Sequence, residues 1–249
     1  MDNREAGVYT GLTEAEYNEI EGIRHSDLMA FANPKDKPGR KSAIVGTCVH
    51  ALALQGEEQA KKVFRVCDTD YDLRKKDQKA DYKVWEDKHP GKLILRPKEM
   101  DQVWAMTESV RSPQSDNCPL LHPAGPDSRE VVIVGPLWDG GPLAKARLDF
   151  FGPVIRDFKT SHSISLEEFE PAVVKYGYHS QLAFYAELAK RHLPEIMGYE
   201  LYCVSSREPH NRWIYEVPDL LLQAGLRDVK HLIGCMKRER EQGNEKNAA

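Results

Sequence analysis

Apolar positions recur at helical spacing in the first third of the chain and at strand spacing in the middle. His25-Ser26-Asp27-Leu28-Met29 sets a Ser or Asp cap ahead of apolar residues, predicting a helix that breaks at Asn33-Pro34. From Ser42 to Leu54, the positions Ile44, Val45, Cys48, Val49 and Leu52 share one helical face and predict a buried helix. Residues 66–91 are charged, with helical pieces that end at Pro90-Gly91; a further helix runs from Pro97 through Met100 to Val110. Residues 112–128 carry Pro113, Pro119, Pro123 and Pro126 and read as a connecting loop. The character changes at Arg129. Glu130–Val134 is β-branched and apolar, and Trp138-Asp139-Gly140-Gly141 signals a turn. Leu143–Phe151 alternates, with Lys145, Arg147 and Asp149 on one face and Ala144, Ala146 and Leu148 on the other. After Gly152-Pro153, Val154–Thr160 completes an antiparallel meander of three strands. A helix from about Phe169 or Tyr176 to His192, strands at Gly198–Ser205 and Trp213–Val217, and an amphipathic helix from Leu220 to Arg240 follow. This order predicts one α/β structural domain: an N-terminal helical part over 1–128, a core over 129–241 and a disordered tail over 242–249.

Composition narrows the class. With 249 residues, 41% hydrophobic and 30% charged, the chain can bury one substantial core. The longest stretch without Asp, Glu, Lys or Arg, Ser42 to Gly56, is too short for a spanning helix, which needs about 20 apolar residues. The start, MDNREAGVYT, has neither a basic nor an apolar leader region, so no secretion signal is expected. The five cysteines (48, 67, 118, 203 and 235) form no CxxC pair, which argues against a zinc site or a disulfide scaffold and fits a reducing cytoplasm. A formal charge of −4 argues mildly against nucleic acid. Its distribution does not. Residues 61–100 hold twelve Lys/Arg against eight Asp/Glu, and Lys35, Lys37, Arg40 and Lys41 face only Asp36. Either group reads as a solvated face or as a surface that tracks phosphates.

The candidate chemistry lies around the meander. Asp149 ends one strand, Asp157 and Lys159 share a face of the next, and Glu130 opens the strand before. Carboxylates on neighbouring strands can grip one hard divalent cation, and a lysine two residues on can orient water or stabilise phosphoryl charge. Taken alone the D-x-K spacing reads as a surface ion pair, and His50 as a satisfied histidine in a buried helix. A following helix sets Gln181 and Tyr185 four apart on one face.

The ordered set resembles the PDDEXK nuclease superfamily, and within it the RecE-type exonucleases (exodeoxyribonuclease VIII-like) of phages and prophages. The resemblance is carried by Gly46-Thr47-Cys48-Val49-His50-Ala51-Leu52, Glu130, Lys145-Ala146-Arg147-Leu148-Asp149, Asp157-Phe158-Lys159-Thr160 and Tyr176 through Tyr185, with Ser26-Asp27-Leu28 as an N-terminal signature. It implies a restriction-endonuclease-like core: a mixed sheet with an antiparallel meander flanked by helices, plus an N-terminal helical elaboration. It implies that Asp149 and Asp157 bind the metal, with the Phe158 carbonyl, Glu130 and His50 completing the set, and that Lys159 positions the attacking water. Gln181 and Tyr185 match a QxxxY motif that supports DNA or the lysine; Arg147, Thr160 and Tyr178 fall beside these motifs as candidate DNA-binding or supporting residues. The cofactor implied is Mg²⁺, with Mn²⁺ able to substitute. The reaction implied is 5′→3′ digestion of linear duplex DNA, leaving 3′ single strands for an annealing recombinase, by a ring-like homo-oligomer in a bacterial host's cytoplasm.

Two familiar accessories are not expected. Only Cys203 and Cys235 lie late in the chain, too few for the iron–sulfur cluster of some RecB-like nucleases, and no GxxxxGK[ST] motif signals ATP. Two other readings stay open: an endonuclease or single-strand nuclease on the same core, and a catalytically silent DNA-binding scaffold.

Overall fold

The computed structural model describes residues 5–33, 40–112, 128–163, 165–193 and 195–248, with side chains over the same ranges except 40–42 and 243–248. In chain order the elements are β1 (Gly7–Tyr9), α1 (Glu14–Glu19), α2 (His25–Ala32), α3 (Arg40–His50), a π-helical turn (Ala51–Gln55), α4 (Glu57–Val63), β2 (Phe64–Val66), α5 (Lys76–Lys88), β3 (Leu93–Leu95) and α6 (Pro97–Arg111). The second half adds β4 (Arg129–Pro136), β5 (Leu143–Phe150), β6 (Val154–Ser161), α7 (Leu166–Lys175), α8 (Tyr178–Ala189), β7 (Gly198–Ser205), β8 (Arg212–Glu216) and α9 (Asp219–Ala248).

Six strands form one mixed sheet in the order β1-β4-β5-β6-β7-β8. β4, β5 and β6 are the expected antiparallel meander, while β6 and β7 run parallel across the α7–α8 crossover. Helices cover both faces because the strands alternate. Val131, Ile133, Ala146, Leu148, Ile155 and Leu201 pack with Leu28 of α2, Phe169 of α7, Phe184 of α8 and Val229 of α9. On the opposite face Phe150, Phe158, Tyr202 and Val204 pack with Val45 and Val49 of α3 and Met106 of α6. Each of these buried side chains larger than alanine contributes roughly 1.5–3 kcal/mol of transfer free energy. Among the described residues, no helix is long and apolar enough to cross a membrane.

Several local expectations change. The N-terminal part is not wholly helical: β1 adds an edge strand to the main sheet, and β2 and β3 form a separate parallel pair. Three-residue strands are too short to show an alternation, which is why the pattern missed them. The early helix is not capped by Ser26 or Asp27; Arg24 is its cap, and Asp27 reaches back from the third position to accept the Arg24 N–H at 2.9 Å. Of the two starts expected for the helix ending near His192, the later one, Tyr176, lies close to that of α8; α7 is a separate helix before it, parted at Gly177, whose φ of 69° is left-handed backbone that glycine adopts without penalty. α9 passes the expected end at Arg240 and continues to Ala248, into the segment read as a tail. Of the proline-rich stretch, 113–127 lies outside the described residues, as do Cys118, Lys35 and Lys37.

Candidate active site

The site begins with register. Arg129 pairs with Phe150 and Val131 with Leu148, so Glu130 on β4 stands opposite Asp149 on β5. Phe150 pairs with Arg156, and continuing that register brings Asp149 to Asp157 on β6. The three carboxylates therefore fall in one row across three adjacent strands. The sheet is irregular at this row. Residues two apart on a regular strand share a face, yet Leu148 packs in the core under α8 and Phe150 in the core under α3. β5 turns over between them, at Asp149. Its paired register with β6 ends at Phe150, and the Asp149 carboxylate takes the Phe158 N–H at 2.7 Å where a ladder bond would otherwise go. Beside it Glu130 has a φ of 53°, a costly backbone for a residue with a side chain.

Two helices close on this seam. From α3, His50 Nε2 lies 2.8 Å from Asp149 Oδ1, and its Nδ1 lies 3.9 Å from Glu130 Oε1. α3 gets this close because Gly46 faces β6: a Cβ there would sit 2.8 Å from Thr160 Oγ1. From α8, Gln181 accepts from Lys159 Nζ at 2.9 Å, donates to Asp157 Oδ1 at 3.3 Å and donates to the Tyr185 hydroxyl at 2.7 Å. Lys159 forms an ion pair with Asp157 and lies 4.8 Å from the centre of the Tyr178 ring.

Charge follows from this packing. Burial disfavours the His50 imidazolium, but Asp149, Glu130 and Asp157 outweigh it and raise its pKa to about 9. Burial opposes ionisation of Asp149 as well, yet His50, Lys159 and the Phe158 N–H hold its carboxyl below the usual range. Burial and the Asp149 charge push Glu130 up. Asp157 rises to about 6, by burial and by Asp149, against the pull of Lys159. Lys159 resists burial because Asp157, Tyr178 and Asp149 favour its ammonium form. Lys159 is thus a fixed positive charge rather than a free base.

The structure brings His50, Glu130 and Asp149 together: one ligand atom from each lies within 4.8 Å of the other two. Asp157 is turned instead to Lys159 and Gln181. The donor set itself fits a divalent cation. Glu130 Oε1 is buried and has no hydrogen-bond partner among the described residues, and two adjacent carboxylates repel unless a cation lies between them. Phe158 joins the site through its N–H. Thr160 meets α3 at Gly46 rather than the cluster. Arg147 lies 3.9 Å from Glu130, but its guanidinium is engaged by α1: it donates to Glu14 at 2.6 Å and to the Thr13 carbonyl at 3.0 Å, over the Tyr17 ring. Sequence reasoning missed Gln55, which donates to Glu130 Oε2 at 3.1 Å. It also missed His25, whose Nε2 is 2.9 Å from Ser180 Oγ, one residue before Gln181. The only sequence signal for either was its nearness along the chain to one of the motifs.

Comparison with known proteins bears on the family and the fold. The sequence matches the model of a family described as PDDEXK-like domain of unknown function (DUF3799) over residues 24–247. No curated protein matches it. A crystal structure from Eubacterium rectale, of a protein named "Putative exonuclease", shares the fold with a TM-score of 0.54 at 18% identity, over 89% of this chain and 74% of that one. The six-stranded mixed sheet with helices on both faces is accordingly a PDDEXK-like core, as the motif order implied, and the chain belongs to the PDDEXK-like family DUF3799.

Proposed function

We propose that this protein is a metal-dependent deoxyribonuclease, and specifically an exonuclease acting on linear duplex DNA. One observation carries the reading: a row of three carboxylates, Asp149 and Asp157 buried and Glu130 half-buried, joined by His50 at one end and by the Lys159 ammonium at the other. His50, Glu130 and Asp149 would hold a Mg²⁺ or Mn²⁺ ion, with Asp157 and the Phe158 carbonyl completing its shell. Such an ion supplies Lewis-acid polarisation of a phosphoryl oxygen and neutralises developing charge. Lys159, held charged by Asp157 and aimed by Gln181, positions the attacking water and stabilises negative charge on the phosphate. Tyr185 fixes Gln181 in turn, and Tyr178 shields one side of the ammonium. The buried carboxylates and the fixed cation are preorganised, so little reorganisation is left for the reaction itself.

The finer reading rests on the RecE-type resemblance: 5′→3′ digestion by a ring-like homo-oligomer in a phage-carrying bacterial cytoplasm, delivering 3′ single strands to an annealing protein. Linear duplexes labelled at either the 5′ or the 3′ end, and a closed circle, test it together. Mg²⁺-dependent release of the 5′ label with the circle intact supports it. Nicking of the circle makes the protein an endonuclease, and no cleavage of any substrate removes the enzyme reading.

A further inference from the structure

We propose that Gln55 is a positioning residue that orients Glu130 toward the cation, and that the π-helical turn exists to deliver it. The inference deepens the metal-centre reading and rests on it. In an α-helix, residues five apart point away from each other. The turn Ala51–Gln55 instead follows an i→i+5 geometry, which brings residue 55 over residue 50. Both then reach the same carboxylate: Gln55 Nε2 donates to Glu130 Oε2 at 3.1 Å, and His50 Nδ1 lies 3.9 Å from Oε1. Gln55 thus occupies one carboxylate oxygen, and the other, buried Oε1, has no hydrogen-bond partner among the described residues.

The chemistry of the donor matters. The Arg147 guanidinium already lies 3.9 Å from the same oxygen, Glu130 Oε2, while it is held by Glu14; a second cation at position 55 would neutralise Glu130 further and weaken its pull on a metal ion. A neutral amide orients without cancelling charge. Glu130 needs that help, because its backbone is held at a φ of 53° and its neighbour across the strand is the Asp149 carboxylate. The remaining side chains of the turn, Ala51, Leu52, Ala53 and Leu54, are all buried, so packing fixes the π geometry while Gln55 projects to the surface.

Titration calorimetry with MnCl₂ tests this on the full chain, comparing wild type with Gln55→Met and Asp149→Asn. Methionine keeps the length of the side chain and removes the donor, and Gln55 is exposed, so the variant folds. Outer hydrogen-bond partners of metal ligands typically matter by about 10–100-fold in affinity; the Mn²⁺ dissociation constant of Gln55→Met should rise by that factor. Its kcat should return to the wild-type value at saturating Mn²⁺, with an unchanged melting temperature in the absence of metal. If Gln55→Met binds Mn²⁺ as wild type does while Asp149→Asn does not bind, the positioning role is wrong and the metal centre stands. If Asp149→Asn binds as wild type does, the metal centre itself is wrong.

Discussion

The Asp157–Lys159 pair sets the energetics of the site as well as its chemistry. Asp157 is removed from water and Lys159 largely so, and the pair is tolerable because Gln181 bonds to each partner. Removing one partner of such a pair costs about 3–5 kcal/mol, since the other charge is left buried and uncompensated. Lys159→Met should therefore lose stability in that range in urea unfolding, and adding Asp157→Asn should recover most of it. A double variant no more stable than Lys159→Met would mean the ion pair does not govern folding here. His25 makes a second prediction. Burial, with Lys159 and His179 adding to it, lowers its pKa from 6.5 to about 3. Between those values the unfolded chain binds the proton and the folded one does not, so stability falls as pH falls from 6.5 toward 3. The slope is about 1.4 kcal/mol per pH unit. His25→Gln should flatten that acid-side slope relative to wild type, leaving the pH dependence above about 7 unchanged.

At the scale of elements, the site depends on how closely α3 and α8 approach the seam between β5 and β6. Gly46→Ala would place a methyl 2.8 Å from Thr160 Oγ1, and overpacking of this kind costs about 1–3 kcal/mol. Thr160→Ala in the same chain should restore stability, because the remaining Thr160 Cβ is at an ordinary 3.9 Å. Thermal melts of the two single variants and the double variant measure this directly. The meander was legible in the sequence because β4 to β6 each run for eight residues with a readable pattern, and Asp149, Asp157 and Lys159 were legible because two-residue spacing has a fixed meaning on a strand. The turning over of β5 at Asp149 leaves no trace in the alternation, since Leu148 and Phe150 are both apolar. Gln55 was invisible because its role depends on a π-turn inside what reads as one continuous helix. From its helix alone His50 reads like any packed histidine, because its partner Asp149 lies 99 residues away; only the family resemblance made it legible as a site residue.

For the whole molecule, the question is how a chain of charge −4 meets DNA. Many basic residues of 61–100 are matched locally: Lys61 with Glu58, Arg74 with Asp72, Lys83 with Asp87, Arg96 with Glu99 and Lys98 with Asp70. Lys75, Lys76 and Lys79, at the start of α5, form no close ion pair among the described residues, although Lys75 is near enough to help lower the Asp72 pKa. Cations at a helix N-terminus are unfavourable beside its dipole, and neighbouring phosphates would relieve that cost. Replacing all three by Gln should weaken duplex binding and reduce the slope of log affinity against log salt by about 2–3, close to one for each phosphate no longer neutralised. An unchanged slope would make them a solvated face. Several of the excess acids, by contrast, are the buried and half-buried carboxylates of the site, which a bound cation would offset. The central claim is that this row of carboxylates, with Lys159, cleaves phosphodiesters. Its most direct test is the rate of acid-soluble nucleotide release from linear duplex DNA in Mg²⁺, for wild type and Asp149→Asn. The account predicts release by wild type that EDTA abolishes, and a fall of about 10²–10³-fold in the variant, the scale of losing preorganised electrostatic stabilisation. Equal rates in the two proteins, or release that persists in EDTA, would contradict it.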